Sequence, residues 1–160
     1  MDSATIIIAV ISIVICSLPF VIGRNNRKKR EGALLSEIKT LSSNNAIQLS
    51  KYELLSNFII GLDEKANVLC FLRKKETGNH FMEVDLSKYI KVEVQQSNHQ
   101  EGENNNTRSV IDDLVLKFHP KSSTDKIALI ELYNRKETQN LSGEFQLAQE
   151  WSQFLNNRIK

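Results

Sequence analysis

Residues Ala4–Gly23 read ATIIIAVISIVICSLPFVIG, and this stretch decides how the rest of the chain is organised. It contains no Asp, Glu, Lys, Arg or His, and most of its side chains are aliphatic, so water is an unfavourable environment for it. As a helix that rises about 1.5 Å per residue, it is long enough to cross the roughly 30 Å hydrocarbon core of a bilayer. The sequence therefore predicts a single transmembrane helix.

A strongly basic run follows the apolar stretch directly, whereas the segment before it carries only Asp2 and the amino terminus. Basic flanks are retained on the cytoplasmic side, which predicts a single-pass cell-membrane protein with its N-terminus outside and its C-terminal domain in the cytoplasm. We expect the cations to contact anionic headgroups, where each gains about 1 kcal/mol. These residues are Arg24, Arg27, Lys28, Lys29 and Arg30.

Two alternative interpretations of the N-terminus remain open. A cleaved signal peptide would release the remainder on the envelope side, and Val21 and Gly23 are small enough to precede a cleavage site. However, such signals have a basic n-region and an apolar core of roughly 7–15 residues, whereas this segment is acidic and longer. A lipoprotein signal requires a small residue before the modified cysteine, and Cys16 follows Ile15. The uncleaved anchor is the favoured interpretation.

Charge and cysteine content restrict the class of the remaining chain. The net charge of +2 divides into +4 for residues 1–30 and −2 for residues 31–160, so the latter lack the basic excess of a nucleic-acid-binding domain. Cys16 lies in the apolar stretch and Cys70 in a second apolar run, where we expect it to be a core residue. Two such cysteines predict neither a disulfide framework nor a zinc site.

The chain is predicted to have three parts: a transmembrane anchor with its basic run (1–30), an amphipathic helix with a linker (31–51) and a β-rich domain (52–160). Between Glu31 and Leu41, leucine and isoleucine recur at helical spacing. The polar segment Ser42–Ser50 interrupts this pattern and predicts a hinge between anchor and domain.

Six segments of the third part have the alternation or the apolar concentration typical of strands. They are Phe58–Asp63, Val68–Leu72, His80–Leu86, Ile90–Gln95, Leu114–Phe118 and Lys126–Tyr133. Arg73–Asn79 is predicted to be a charged turn. Gln96–Ser109 contains no apolar residue and is predicted to be a mobile loop, because it has too little surface to bury to offset the entropy of ordering.

The last segment returns to helical spacing, with Ser142 as the expected N-cap. Its apolar stripe consists of Phe145, Ala148, Trp151, Leu155 and Ile159. The sequence therefore predicts an α+β protein. The N-terminal transmembrane helix precedes a small antiparallel sheet or partly open barrel of about six strands, which the C-terminal helix closes.

This order of elements resembles the pleckstrin-homology-like architecture. The residues that carry the resemblance are Ile60–Asp63 before the first turn, Val84–Leu86 on the third strand, Ile130–Tyr133 on the last strand, and Ala148 and Trp151 on the helix. The chain also resembles small uncharacterised bacterial single-pass membrane proteins that carry such a domain.

The resemblance extends over Tyr52–Lys160 and implies an interaction platform that binds peptides, proteins or lipid headgroups and performs no chemistry. Members that bind phosphoinositides carry basic residues on the first two strands and their connection. Here that turn holds Lys65 beside Asp63 and Glu64. Arg73–Lys75 follow the second strand, where a solvated turn is favoured and an electrostatic approach to the membrane is the alternative.

No motif predicts catalytic, cofactor-binding or metal-binding residues. The three histidines (His80, His99 and His119) lack the short spacing of a metal site. The acidic pairs Asp63–Glu64 and Asp112–Asp113 fall where turns are predicted, so we expect them to be exposed rather than to act as general acids or bases.

The favoured function is a membrane-anchored, cytoplasmic-facing interaction or scaffold module without catalytic activity. Its predicted partners are the bilayer through residues 4–23, anionic headgroups through the basic run, and an unidentified membrane protein, but no nucleic acid. One alternative is an exported, envelope-side binding domain. Another is an enzyme whose site is assembled from distant residues such as Asp63, Asp85 and His80.

Overall fold

The computed structural model describes residues 28–29, 31–42, 47–55, 57–75, 78–102, 108–138 and 140–159. The chain divides between Leu41 and Ser42 into two compact units. In the first unit, residues 31–41 form helix α1, which confirms the helix predicted from spacing. The predicted span Ala4–Gly23 lies outside the described residues, and none of the helices that are described is both long and apolar enough to cross a bilayer.

The second unit contains seven described strands and one helix. They are β1 (Lys51–Leu55), β2 (Phe58–Asp63), β3 (Val68–Lys75), β4 (Gly78–Asp85), β5 (Tyr89–Glu101), β6 (Arg108–Pro120), β7 (Ala128–Asn134) and α2 (Glu144–Ile159). Sheet 1 has the order β1-β2-β3-β4 and sheet 2 the order β5-β6-β7, and all pairings are antiparallel. The α+β class is thus confirmed, but the strands form two sheets and neither closes into a barrel.

The passage from sheet 1 to sheet 2 is a single 3-10 turn at Leu86–Lys88. Asp85 caps this turn, because its Oδ1 accepts hydrogen bonds from the backbone N–H of Ser87 at 3.0 Å and from its hydroxyl at 2.6 Å. These bonds to the charged form, the hydroxyl bond foremost, hold the pKa of Asp85 below its usual value. The Asp85 carboxylate therefore has a structural role in this turn.

The core lies between the inner faces of both sheets and is closed by α2, which packs on β5, β6 and β7. Its buried side chains are Phe58, Ile60, Leu62, Leu69, Phe71, Val84, Leu86, Val92, Leu114, Leu116, Phe118, Ile130, Leu132, Tyr133, Leu147, Ala148, Trp151 and Leu155. Because side chains alternate along a strand, every second residue of β2 and of the segment Leu114–Phe118 in β6 enters this cluster. Burial of this apolar area is the main force that holds the two sheets together.

The helix α2 begins two residues later than its predicted cap. Gly143, at φ +107°, precedes it and accepts the first intrahelical bond from Leu147 N–H at 3.0 Å. Ser142 is not the N-cap: its backbone N–H instead donates to the Glu144 carboxylate. Trp151 is fully buried as predicted, whereas Phe145 is 37% exposed, so the real stripe runs through Leu147.

The opposite, outer face of sheet 1 is crossed by the extended residues that precede β1. Gln48 N–H donates to Asp63 Oδ2 at 2.8 Å, and Ser50 N–H donates to the Leu62 carbonyl at 2.9 Å. Leu49 lies over Gly61 so closely that a Cβ there would be 2.7 Å from Leu49 Cδ1. Gly61 is therefore required by a close approach and not by its backbone conformation.

Four points of the predicted arrangement of strands and turns were wrong. The strand β1 was missed altogether. Residues Gln96–Glu101 and Arg108–Ser109 are not loop but the facing ends of β5 and β6, and residues 103–107 lie outside the described part. Arg73–Lys75 are not a turn but the end of β3, and Asp112–Asp113 lie inside β6.

Candidate functional site

A groove of about 210 Å³ lies between the inner face of sheet 1 and the edge strand β7. The register pairs Phe71 with Met82 and Arg73 with His80, so these four side chains lie side by side on one face of β3 and β4. The groove lining is completed by Lys75 from β3 and by Leu129 and Glu131 from β7. It therefore combines three apolar side chains, those of Phe71, Met82 and Leu129, with charged and polar groups.

Arg73 lies deepest among the charged groups, with only 5% of its side chain exposed. Its Nη1 donates to Glu131 Oε1 at 2.9 Å, and its Nη2 donates to the backbone carbonyl of Leu132. The guanidinium thus links sheet 1 to β7 through a side chain and a backbone carbonyl of that strand. Burial lowers the pKa of Arg73, an effect that Glu131 and Glu137 oppose, and an arginine remains charged at neutral pH.

Lys75 forms the outer part of the same charged cluster. Its Nζ lies 2.7 Å from Glu137 Oε1 and 3.6 Å from Glu131 Oε1, and 30% of its side chain is exposed. Two cations and two carboxylates therefore meet at this corner of the domain, so the charges of the cluster balance. Such a cluster favours an uncharged occupant beside it over an inorganic anion.

A second, wider cavity of about 820 Å³ lies on the outer side of sheet 2 and shares Glu131 with the groove. Its lining consists of Ser97, Asp112, Asp113, Val115, Glu131, Asn134, Arg135 and Lys136. Most of its polar groups already have protein partners: Ser97 Oγ donates to Asp113 Oδ2 at 2.9 Å, and Asn134 Nδ2 donates to Glu131 Oε2 at 3.2 Å. The cavity is open and polar.

His99 belongs to a chain of contacts at the rim of this cavity. Its Nδ1 lies 2.7 Å from Asp112 Oδ1, and Arg135 Nη1 donates to its Nε2. Because arginine only donates, Nε2 must accept and Nδ1 must carry the proton that faces Asp112. Arg135 also contacts Glu101 at 3.0 Å. Both ring nitrogens of His99 are therefore engaged, which leaves neither available as a base toward a substrate.

The structure separates the residues of the alternative enzymatic hypothesis. Asp63 and Asp85 both lie opposite Val68 at one end of sheet 1, whereas His80 pairs with Arg73 at the other end. Asp63 is buried and accepts backbone hydrogen bonds from Lys65, Ala66 and Gln48.

The bonds to Asp63 have an electrostatic consequence. Those from Ala66 and Gln48 lower its pKa most, and burial opposes them. This carboxylate orders the β2–β3 turn instead of remaining exposed, contrary to the prediction for the pair with Glu64.

The other residues considered from sequence also have defined surroundings. Cys70 is fully buried on the outer face of β3, as expected, and burial raises the pKa of its thiol to about 12. His119 contacts Glu93 at 3.0 Å on the exposed side of sheet 2. No group of three or more His, Cys, Asp or Glu side chains is placed to hold a metal ion in the part of the chain that the structure describes.

Of the predicted headgroup contacts, the structure describes two. Lys28 and Lys29 are helical and exposed. Arg24, Arg27 and Arg30 lie outside the described residues.

Sequence reasoning missed the residues that build the groove. Arg73 continues the alternation of Leu69 and Phe71, which points it inward, and Glu131 interrupts an otherwise apolar β7. A buried cation is costly unless it is paired, and Glu131 is an acid on a largely apolar strand, so together they were an available signal for this contact.

No family model, no curated protein and no solved structure matches this chain.

Proposed function

We propose that this chain is a membrane-anchored interaction module that faces the cytoplasm and has no catalytic activity. The apolar stretch Ala4–Gly23 would provide the single span, and the cations of Arg24–Arg30 would contact anionic headgroups. Tethering raises the effective concentration of the domain near other membrane proteins, so that weak contacts suffice.

The order of elements supports a pleckstrin-homology-like domain within this proposal. A four-stranded and a three-stranded antiparallel sheet are followed by one helix, and Trp151 is buried on the face of that helix that meets the sheets. An architecture of this kind leaves strand edges and grooves for partners while its interior is filled by side chains. The fold alone does not choose among those surfaces.

The groove between β4 and β7 is the observation that carries the proposal. Within the described residues, each of these strands pairs with one neighbour only, so each presents an edge. A volume of about 210 Å³ is below the roughly 300–1,000 Å³ of small-molecule sites and suits one side chain of a peptide. We expect an extended segment of a membrane protein to place an apolar side chain between Met82 and Leu129.

A photo-cross-linking experiment tests the groove. The photoreactive residue replaces Leu129, which is 50% exposed and lines the groove, or Ile127, which is 52% exposed and is not among the residues that line it. In intact membranes we expect a defined adduct from position 129 at least tenfold above that from position 127. Adding Met82→Glu to the position 129 chain should remove the adduct. Equal adducts from both positions would contradict a role for the groove.

A topology experiment tests the placement of the domain. We expect a reporter fused after Lys160 to be active only in its cytoplasmic form, and mass spectrometry to recover the intact N-terminus. A new N-terminus near Gly23, or digestion of the domain by protease added to intact cells, would favour the envelope-side alternative.

A further inference from the structure

Among the described residues, the large apolar side chains with the greatest exposure are those of Ile90 and Ile127, at 60% and 52%. Ile90 is the extra residue of the bulge between Tyr89 and Lys91, and Ile127 directly precedes β7. Neither side chain enters the core. A single exposed apolar side chain is ordinary, but two that lie together form a patch that is unfavourable in water.

Hydrogen bonds hold the segments of both isoleucines at the same end of sheet 2. The Tyr89 hydroxyl donates to the Lys126 carbonyl at 3.3 Å, which joins the two residues that directly precede the isoleucines. The turn between β6 and β7 is attached to the turn before β5, because the Lys121 N–H donates to the Lys88 carbonyl at 2.8 Å. We name this region the basic corner, and its members are Ile90, Ile127, Lys88, Lys121 and Lys126.

The charge around the basic corner is positive. Its three lysines are exposed, and the adjoining outer face of sheet 2 adds Lys91 and Lys117. Three acids lie among these five lysines, which leaves an excess of two positive charges; they are Asp85, Glu93 and Asp125. Asp85 caps its turn and Glu93 contacts His119 at 3.0 Å, so both of these acids already have partners.

Other charges of the domain do not cancel this excess. The β2–β3 turn lies beside the corner, because the Leu86 N–H donates to the Asn67 carbonyl at 3.1 Å. This turn and the end of α2 contribute two cations and two acids, which are Lys65, Arg158, Asp63 and Glu64. At the other end of sheet 2 the charges also balance, with three acids (Glu101, Asp112 and Asp113) and three cations (Arg108, Arg135 and Lys136). Residues 31–160 carry a charge of −2, so the basic corner differs in sign from the average of this part of the chain.

We infer that the basic corner docks on the anionic surface of the bilayer, an inference that rests on the proposed membrane anchor. Exposed lysines are attracted by the negative potential of a cytoplasmic leaflet, and aliphatic side chains gain from entering the boundary between headgroups and acyl chains. The long stems of the lysines let their cations remain among the headgroups while the isoleucines lie deeper. Exposed lysines on separate turns match the diffuse charge of many headgroups, whereas a site for one phosphate needs donors that converge.

Fluorescence quenching in the full chain tests this docking. Cysteine replaces Ile90, Ile127 or the control residue Phe145 in a Cys16→Ser background and carries an environment-sensitive fluorophore, while buried Cys70 remains unlabelled. Phe145 is also apolar and exposed, at 37%, but it lies in the first turn of α2, about 20 Å along the helix from Arg158.

The labelled chains are reconstituted into phosphatidylcholine vesicles with or without phosphatidylserine, and a nitroxide on the lipid acyl chain is the quencher. With phosphatidylserine present, we expect positions 90 and 127 to be quenched at least threefold more than position 145. Without phosphatidylserine, we expect this difference to disappear, because the neutral surface no longer attracts the lysines.

Charge variants separate docking from tethering. Lys121→Gln combined with Lys126→Gln should lower the quenching at position 90 at least threefold. Lys74→Gln combined with Lys136→Gln is the matched control, because these lysines are also exposed but lie away from the corner, and it should leave the quenching unchanged. Fluorescence of buried Trp151 confirms that each variant is folded.

Flotation of the vesicles after an alkaline wash tests the anchor independently, since the wash retains an integral span. Retained chains with equal quenching at all three positions, or with quenching that does not depend on phosphatidylserine, would overturn the inference without contradicting the anchor. Release by the wash would contradict the anchor and the inference with it. The vesicles contain no other protein, so protection of the corner in native membranes alone would indicate a protein partner and would also overturn the inference.

Discussion

Replacing Arg73 with Met tests how much of the link between the sheets depends on a buried cation. Methionine retains most of the packing of the side-chain stem but removes both hydrogen bonds. The Leu132 carbonyl then loses its partner in a buried position, at a cost of about 1–3 kcal/mol. Glu131 is 38% exposed and retains Lys75 as a cation at 3.6 Å. Losing the ion pair between Arg73 and Glu131 therefore adds only about 0–1 kcal/mol. We expect the free energy of unfolding to fall by about 2–3 kcal/mol.

Urea denaturation followed by fluorescence of Trp151, the single tryptophan, measures this change. With a slope of about 1.5 kcal/mol per molar urea, the midpoint should fall by about 1.3–2 M at an unchanged slope. Lys75→Met is the matched variant, because this residue lies on the same strand, meets the same acids and is more exposed. We expect a shift below about 0.7 M for it. Equal shifts for the two variants would refute the argument from burial.

Three further predictions concern other parts of the domain. Gly61→Ala should lower the free energy of unfolding by about 1–2 kcal/mol, because its methyl group meets Leu49, and urea denaturation should show partial recovery on adding Leu49→Ala. Since hydrogen bonds lower the folded-state pKa of Asp63, its charge stabilises the fold fully above the unfolded value of about 3.9 and ceases to do so as pH falls through the lower folded value. The stability difference between the wild type and Asp63→Asn, measured from pH 6 downward, should therefore be constant above about pH 5 and shrink below it; a constant difference at all pH values would contradict this. In a Cys16→Ser chain, a thiol reagent should label Cys70 only as fast as the domain unfolds, because burial raises the pKa of that thiol to about 12.

The sequence allowed prediction of the elements whose burial is periodic. Alternation identified the first half of β5, where Val92 enters the core, and helical spacing identified α2 with Trp151 on its inner side. These signals are reliable because one face of each element is apolar and the other is polar. The α+β class of the domain was predicted from these two patterns.

The elements that were missed are ordered because neighbouring strands hold them in place. Gln96–Glu101 have no apolar residue, and their strand exists because β6 supplies hydrogen bonds along its whole length. Arg73 was assigned to a turn on the basis of charge alone, although its position in the alternation is inward. The groove depends on the pairing of Arg73 with Glu131, which are 58 residues apart, and local patterns contain no information on such a contact.

The attachment of Arg158 to the β2–β3 turn has a consequence for how the domain folds. Its guanidinium donates to the Glu64 carbonyl, 94 residues earlier in the chain, and to Asn67 Oδ1 at 2.9 Å. The hairpins form between neighbours in sequence, but closing so long a segment costs chain entropy that only an assembled sandwich can offset. We therefore expect docking of α2 to be a late step of folding, with topology rather than helix formation limiting the rate. Until that step is complete, the apolar inner faces of both sheets are exposed to chaperones and to other unfolded chains.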